Sequence, residues 1–365
     1  MSAGTVVTFL AGLALLVAGA EVLVRGAAGL AVRAGLSAVV IGLTVVAFGT
    51  SAPELAVSTS DAFRGEGNLA VGNVVGSNIA NVLLILGLGA LVGGGLMVHE
   101  RLVRLDVPLM VGASLLVTLL ALDGSISTLE GGLLFGLIVA YVAWTASAAR
   151  REGPDVVAEN EEAIDTEALA RTPLVLQLGF IVAGLVALVV GARWMVSSAS
   201  TVAADLGASE LVIGLTVVAL GTSMPELATS VVAVVRGQRD IAVGNVVGSN
   251  LFNLLCVLGA AALAAPGSIR VAEAAQTFDL PVMTAVAVAC LPVFFDGYVL
   301  RRWEGAVFLA YYVAYLGYLV LDATEHAAAD PFRLAMVGFV LPLTVLTLVV
   351  VGRRAWLAHR VAPAG

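Results

Sequence analysis

Long apolar stretches, unbroken rather than alternating, organise this chain. Eleven follow one another, near residues 5–24, 36–62, 68–97, 104–122, 127–149, 174–195, 208–235, 241–265, 278–295, 302–321 and 333–352. Each has about 18 to 30 residues, enough for a helix to cross ~30 Å of hydrocarbon. Strands of an outer-membrane barrel would instead alternate over ~10 residues. The pattern therefore predicts an all-α polytopic membrane protein. Composition agrees: 60% of the 365 residues are hydrophobic and 12% charged, about half the charge of a soluble domain, which excludes a water-soluble fold.

The remaining charge is local. Much of the net −8 sits in residues 150–173, where seven acids face three arginines around Gly153 and Pro154, so this stretch reads as a solvated cytoplasmic linker. All eighteen basic residues are arginine. The first apolar block lacks a positive leader and is followed by Arg25 and Arg33, so it reads as a retained span with its N-terminus outside. Alternating loops from there place fourteen arginines in the cytoplasm and four (Arg64, Arg193, Arg270 and Arg333) outside, with the C-terminus cytoplasmic if the eleventh block spans. Cys256 and Cys290 lie in apolar blocks without paired spacing, so neither a disulfide framework nor a thiolate cluster is expected.

A shift of 172 residues superimposes 35–87 on 207–259 without a gap, with 33 identities in 53 positions. The match is an internal repeat. Fainter echoes widen it: Gly19-Ala20 meets Gly191-Ala192, and the Asp-x-Pro at Asp106 recurs at Asp279, one residue further out of step. The unit spans five helices, an odd number, so the second copy enters the membrane from the opposite side. Two inverted five-helix repeats are the architecture of alternating-access transporters. The expected divisions are a first repeat at 1–149, the linker at 150–173, a second repeat at 174–322, and at 323–365 an appended eleventh helix with a basic cytoplasmic tail.

The copies agree best where the chemistry lies. Gly49 to Glu54 matches Gly221 to Glu226 as GTS-x-PE, and Gly72 to Asn81 matches Gly244 to Asn253 as GNVVGSN-x-x-N. A carboxylate near mid-span costs about 3 kcal/mol on insertion scales. A bound cation is the simplest compensation. Ala47, Thr50, Ser51 and Glu54 fall on one helix face, as do Ala219, Thr222, Ser223 and Glu226. Ser77 and Asn81 stand at i, i+4, as do Ser249 and Asn253. Pro53 and Pro225 lack an amide hydrogen, which frees carbonyls such as those of Gly49 and Gly221. Gly72, Gly76, Gly244 and Gly248 form small-xxx-small steps for close helix approach. Every candidate ligand is a hard oxygen, which suits Ca²⁺ or Na⁺ and disfavours zinc or copper. Away from the motifs, Glu21 and Arg25 read as an interfacial i, i+4 pair, and Asp106 and Asp279 as helix N-terminal residues.

These paired motifs resemble the alpha-repeats of the sodium/calcium exchanger family of cation/Ca²⁺ antiporters, a resemblance covering about residues 1–322. It implies a diamond-shaped site whose middle is Glu54, Asn81, Glu226 and Asn253, with Ca²⁺ held by the two glutamates. Sodium sites lined by Ala47, Thr50, Ser51, Ser77, Ala219, Thr222, Ser223 and Ser249 flank it. Potassium-dependent members typically carry Asp where this chain carries Asn253, so potassium-independent exchange is implied. Only the short linker separates the halves, so the large Ca²⁺-sensing insert of animal exchangers is not expected.

The expected activity is secondary antiport of Na⁺ against Ca²⁺, not enzymatic, electrogenic near three to one. The first and sixth helices are expected to slide against the rest. The transported ions and the bilayer are the expected partners, with no cofactor, nucleic acid or obligatory protein partner. A Ca²⁺/H⁺ antiporter is the nearest alternative, because a buried carboxylate exchanges Ca²⁺ for protons as well. An intramembrane hydrolase using the two glutamates and a cation channel are remoter ones.

Overall fold

A computed structural model describes residues 3–34, 36–149, 172–206, 213, 216, 217 and 219–361. The expected linker therefore lies, but for its last two residues, outside the described residues. Among the described residues nine helices are long and apolar enough to cross a membrane: α1 (Gly4–Ala34), α3 (Gly67–Val92), α4 (Leu102–Asp123), α5 (Thr128–Ala148), α6 (Leu174–Asp205), α8 (Arg239–Ala264), α9 (Ala275–Phe295), α10 (Arg302–Ala323) and α11 (Ala329–Val350). A tenth is the bent pair α2a (Ala38–Thr50) and α2b (Ala52–Phe63), angled at 45°. The seventh apolar block is described as α7a (Ala219–Thr222) and α7b (Met224–Val235). The helices thus follow the apolar blocks one for one.

α1 and α6 run well past the apolar blocks that predict them, because Ala, Val and Arg continue the helix beyond the hydrocarbon-length segment. At 1.5 Å per residue each is about 46–48 Å long, more than the ~30 Å of a bilayer core, so each is long enough to span with its ends beyond the hydrocarbon or with tilt. They lie antiparallel along a glycine seam. A Cβ added at Gly12, Gly19 or Gly26 would sit 2.8, 2.9 and 2.9 Å from the carbonyl oxygens of Gly191, Gly184 and Gln177. The glycines repeat every seven residues, so backbone meets backbone along two turns at a time. A leucine at Gly184 would place its Cβ 2.7 Å from the Leu23 amide nitrogen, and overpacking of this kind costs about 1–3 kcal/mol. Gly184→Leu is expected to lower the melting temperature of the detergent-solubilised protein by several degrees; an unchanged melting curve would show that the seam tolerates separation.

α3 and α8 form the centre. Of their most apolar stretches 78% and 89% are buried, against 11% for α10. Each packs on a helix of the other repeat through glycines: Gly87 of α3 against Gly305 of α10, and Gly259 of α8 against Gly131 of α5. α8 also approaches α2a, where a Cβ at Gly248 would meet Leu43 O at 2.7 Å and one at Gly244 would meet Val39 O at 2.9 Å. The expected small-residue steps therefore serve α8. Their counterparts Gly72 and Gly76 meet nothing within 4 Å among the described residues.

Two short antiparallel pairings, absent from the apolar pattern, tie loops of the two repeats together. β1 (Leu96–Met97) pairs with β4 (Val299–Leu300), and β2 (Ser125–Ile126) pairs with β3 (Ile269–Arg270). Shifts of 173 and 174 residues relate β1 to β3 and β2 to β4, so the two pairings repeat the relation seen in the helices. Two side-chain expectations are corrected. Glu21 pairs with Arg236, the residue that caps the C-terminus of α7b, at 2.8 Å rather than with Arg25, whose guanidinium lies 5.8 Å from the Phe180 ring. Asp106 and Asp279 are the fifth residues of α4 and α9, each closing a π-helical segment, and make no side-chain cap. They accept instead from the phenols of Tyr141 and Tyr315, each at 2.9 Å.

Candidate cation site

The site begins with two broken helices. At Ser51 the backbone leaves helical geometry (φ −80°, ψ 2°), and at Ser223 it does the same (φ −83°, ψ 5°). Pro53 and Pro225, two residues on, cannot donate to the preceding turn and so fix each break. A second helix starts immediately after each break, placing Glu54 and Glu226 in its first turn, where the macrodipole favours a negative side chain. Both glutamates are fully buried at 0% exposure. The dipole's contribution, about 0.3–1 kcal/mol, does not cover a penalty of about 3 kcal/mol at mid-membrane.

The centre of α3 and α8 closes around these breaks. Ser77, Asn81, Ser249 and Asn253 are all buried. Both asparagines stand where the helix widens to π geometry, in Asn81–Leu86 and Phe252–Val257. Such widening turns side chains toward functional sites and is not visible in apolar periodicity. The Ala47 carbonyl accepts from the Ser51 amide at 3.0 Å and from Thr50 Oγ1 at 3.4 Å. Ala219 is described by its backbone alone, at the start of α7a.

Hydrogen bonds within each repeat continue into bonds that cross to the other. Thr50 Oγ1 donates to Asn245 Oδ1 at 3.1 Å, and Asn245 Nδ2 donates to Ser230 at 3.0 Å. The inverted counterpart is complete: Thr222 Oγ1 donates to Asn73 Oδ1 at 3.1 Å, and Asn73 Nδ2 to Ser58 at 3.0 Å. For Thr50 the Asn245 amide oxygen is the nearer acceptor, at 3.1 Å against 3.4 Å for the Ala47 carbonyl. Across the middle, Ser51 donates to Glu226 Oε1 at 3.3 Å, Thr50 and Ser249 hydroxyls pair at 3.4 Å, and Asn81 Nδ2 donates to Asn250 Oδ1 at 3.0 Å.

Several acceptors in the cluster have no protein donor: both Glu54 oxygens, Glu226 Oε2, Asn81 Oδ1, Asn253 Oδ1, Ser77 Oγ and Ser223 Oγ. Together with Asn78 Oδ1 and Asn253 Nδ2 they make up more than half of the unpartnered buried side-chain polar atoms among the described residues. Native interiors satisfy nearly all such atoms. A concentration of unsatisfied oxygen in one place is what a cation requires. The acceptors named are all oxygens, the donors that suit hard cations, and they include two carboxylates.

Comparison with known proteins decides the class. Residues 4–146 and 176–321 match the family described as sodium/calcium exchanger protein. The chain belongs to the sodium/calcium exchanger family. Curated relatives include the putative antiporter CaxA of Alkalimonas amylolytica, 38% identical over 74% of this chain and 84% of that protein. The sodium/calcium exchanger MaX1 of Methanosarcina acetivorans is 35% identical over 73% and 84%. Among solved structures, the sodium-calcium exchanger NCX_Mj soaked with Na⁺ and Ca²⁺ superposes with a TM-score of 0.72 at 30% identity, covering 86% of this chain and 97% of that one. The expected two inverted five-helix repeats are the fold of that structure. This exchanger-family chain is a multi-pass membrane transporter of the cation/Ca²⁺ antiport class, not an enzyme.

Reading the sequence missed the residues that hold the site in shape. Ser58, Asn73, Asn78, Ser230, Asn245 and Asn250 lie inside the repeat and are identical between its copies, which was the available signal. Met110 and Met283 follow each Asp-x-Pro at the same distance and were detectable by carrying that echo two residues further.

Proposed function

We propose that the protein exchanges Na⁺ for Ca²⁺ by alternating access, with Glu54 and Glu226 holding Ca²⁺. In this reading Asn81 and Asn253 complete the middle of the site. Thr50, Ser51, Ser77, Thr222, Ser223 and Ser249, with the carbonyls of Ala47 and Ala219, supply oxygens to Na⁺ on either side. The observation that carries it is a pair of fully buried carboxylates, one from each inverted repeat, with unpartnered oxygens. Names of relatives and structures point the same way. Because both ions use the same glutamates, occupancy by one excludes the other and couples the fluxes.

The glutamates supply two formal charges, which one Ca²⁺ neutralises. Coupling to three Na⁺ makes the cycle electrogenic, and Asn253 in place of a third carboxylate supports independence from K⁺. The arginine distribution supports an outside N-terminus. The deciding experiment is ⁴⁵Ca²⁺ flux in proteoliposomes under Na⁺, K⁺ and H⁺ gradients imposed one at a time. An opposing Na⁺ gradient is expected to drive uptake at least about tenfold above the no-gradient rate, in line with ~1.4 kcal/mol per ion for a tenfold gradient. Uptake driven by a pH gradient without sodium would instead make the protein a Ca²⁺/H⁺ antiporter.

A further inference from the structure

The hydrogen bonds at the centre break the symmetry of the sequence. Three of those that join the repeats are made on one side only: Ser51 to Glu226, Thr50 to Ser249, and Asn81 to Asn250. Adding or subtracting 172 converts these into Ser223 to Glu54, Thr222 to Ser77, and Asn253 to Asn78. None of the three counterparts is made. Ser223 Oγ, both Glu54 oxygens, Ser77 Oγ, Asn253 Nδ2 and Asn78 Oδ1 are all buried without a hydrogen-bond partner. By contrast, the threonine–asparagine–serine chains are made on both sides. The asymmetry is therefore confined to one set of bonds.

The asparagines at 250 and 78 are set for this purpose by methionine. Asn250 Nδ2 faces Met110 Sδ at 3.2 Å, and Asn78 Nδ2 faces Met283 Sδ at 3.8 Å. A thioether only accepts, so it fixes which end of each amide is nitrogen and turns the amide oxygen toward the opposite repeat. Asn250 Oδ1 there receives the Asn81 amide, and Asn81 Oδ1 stays buried without a protein donor. Asn78 Oδ1 is oriented in the same way for Asn253, whose amide does not reach it.

We propose that Asn250 and Asn78 are positioning residues that stabilise opposite-facing states of the transporter. In an inverted-repeat protein the two facing states exchange the conformations of the halves. The bond set seen here belongs to one state. In the other, Asn253 binds Asn78, Ser223 binds Glu54 and Thr222 binds Ser77, while the present three open. Each asparagine thus aims one middle-site amide at the ion in one state alone. The inference rests on the reading of these residues as the transport site.

The test separates the two. Ser58 and Ser230 lie one turn beyond Glu54 and Glu226, toward opposite membrane faces because the repeats are inverted, and a cysteine at either reports access by its rate of reaction with an impermeant maleimide. In a Cys256→Ser, Cys290→Ala background, Asn250→Ala and Asn78→Ala are expected to change the ratio of labelling at Ser58→Cys to that at Ser230→Cys in opposite directions, about fivefold each for one hydrogen bond. The double variant should return to near the parent ratio. Met110→Leu, which keeps the volume and removes the acceptor, should shift the ratio in the Asn250→Ala direction. Shifts in the same direction, or none, would overturn the proposal. Labelling needs no transport, so absence of Na⁺-driven Ca²⁺ flux in the parent protein would reject the functional reading and leave the labelling result to decide this one.

Discussion

Glu54→Gln and Glu226→Gln should each reduce Na⁺-driven ⁴⁵Ca²⁺ uptake by at least about a hundredfold. The side chains are isosteric, so packing is kept and one of two formal charges is lost. Removing one partner from a buried ionic cluster costs about 3–5 kcal/mol, and 1.4 kcal/mol is a factor of ten. Because the carboxylates come from inverted repeats, the two variants should fail to similar extents, and the double variant little more than either. Size-exclusion elution at the parent position would show that the fold survives. Uptake within a few-fold of the parent in either variant would remove that glutamate from the site.

A potential of 100 mV, negative inside, should change the steady-state Ca²⁺ ratio across proteoliposomes by about fiftyfold if the coupling is three to one. The energetics favour that number. Holding a 10⁴-fold Ca²⁺ gradient takes ~5.5 kcal/mol, and two Na⁺ falling down a tenfold gradient supply only ~2.7. Three supply ~4.1, and the one net charge carried with them adds ~2.3 kcal/mol per 100 mV. Clamping the potential with K⁺ and valinomycin at several values and reading ⁴⁵Ca²⁺ at steady state gives the coupling as a slope. A ratio indifferent to potential would mean two Na⁺ per Ca²⁺.

The sequence carried the spans, the inverted duplication and the acidic pair, because each is a signal of composition or self-similarity. What lay beyond it was mostly partnership. Thr50 and Asn245 are 195 positions apart, and Asn81 and Asn250 are 169 apart; comparing copies shows that such residues matter but not that they cross over to bond. Glu21 illustrates the limit. Arg25 is its neighbour along the helix, yet Arg236 wins because α7b packs across α1. The π-widened turns at Asn81 and Asn253 were hidden for another reason: one extra residue in a turn leaves an apolar segment just as apolar.

Most close helix contacts join one repeat to the other: α1 to α6, α3 to α10, α5 to α8. Neither half owns a finished interior. A nascent chain therefore releases α1 to α5 into lipid with their glycine faces unmatched, and these must wait unpaired while the second half is synthesised. Co-translational quality control would meet its greatest exposure in that interval, before α6 arrives to cover α1.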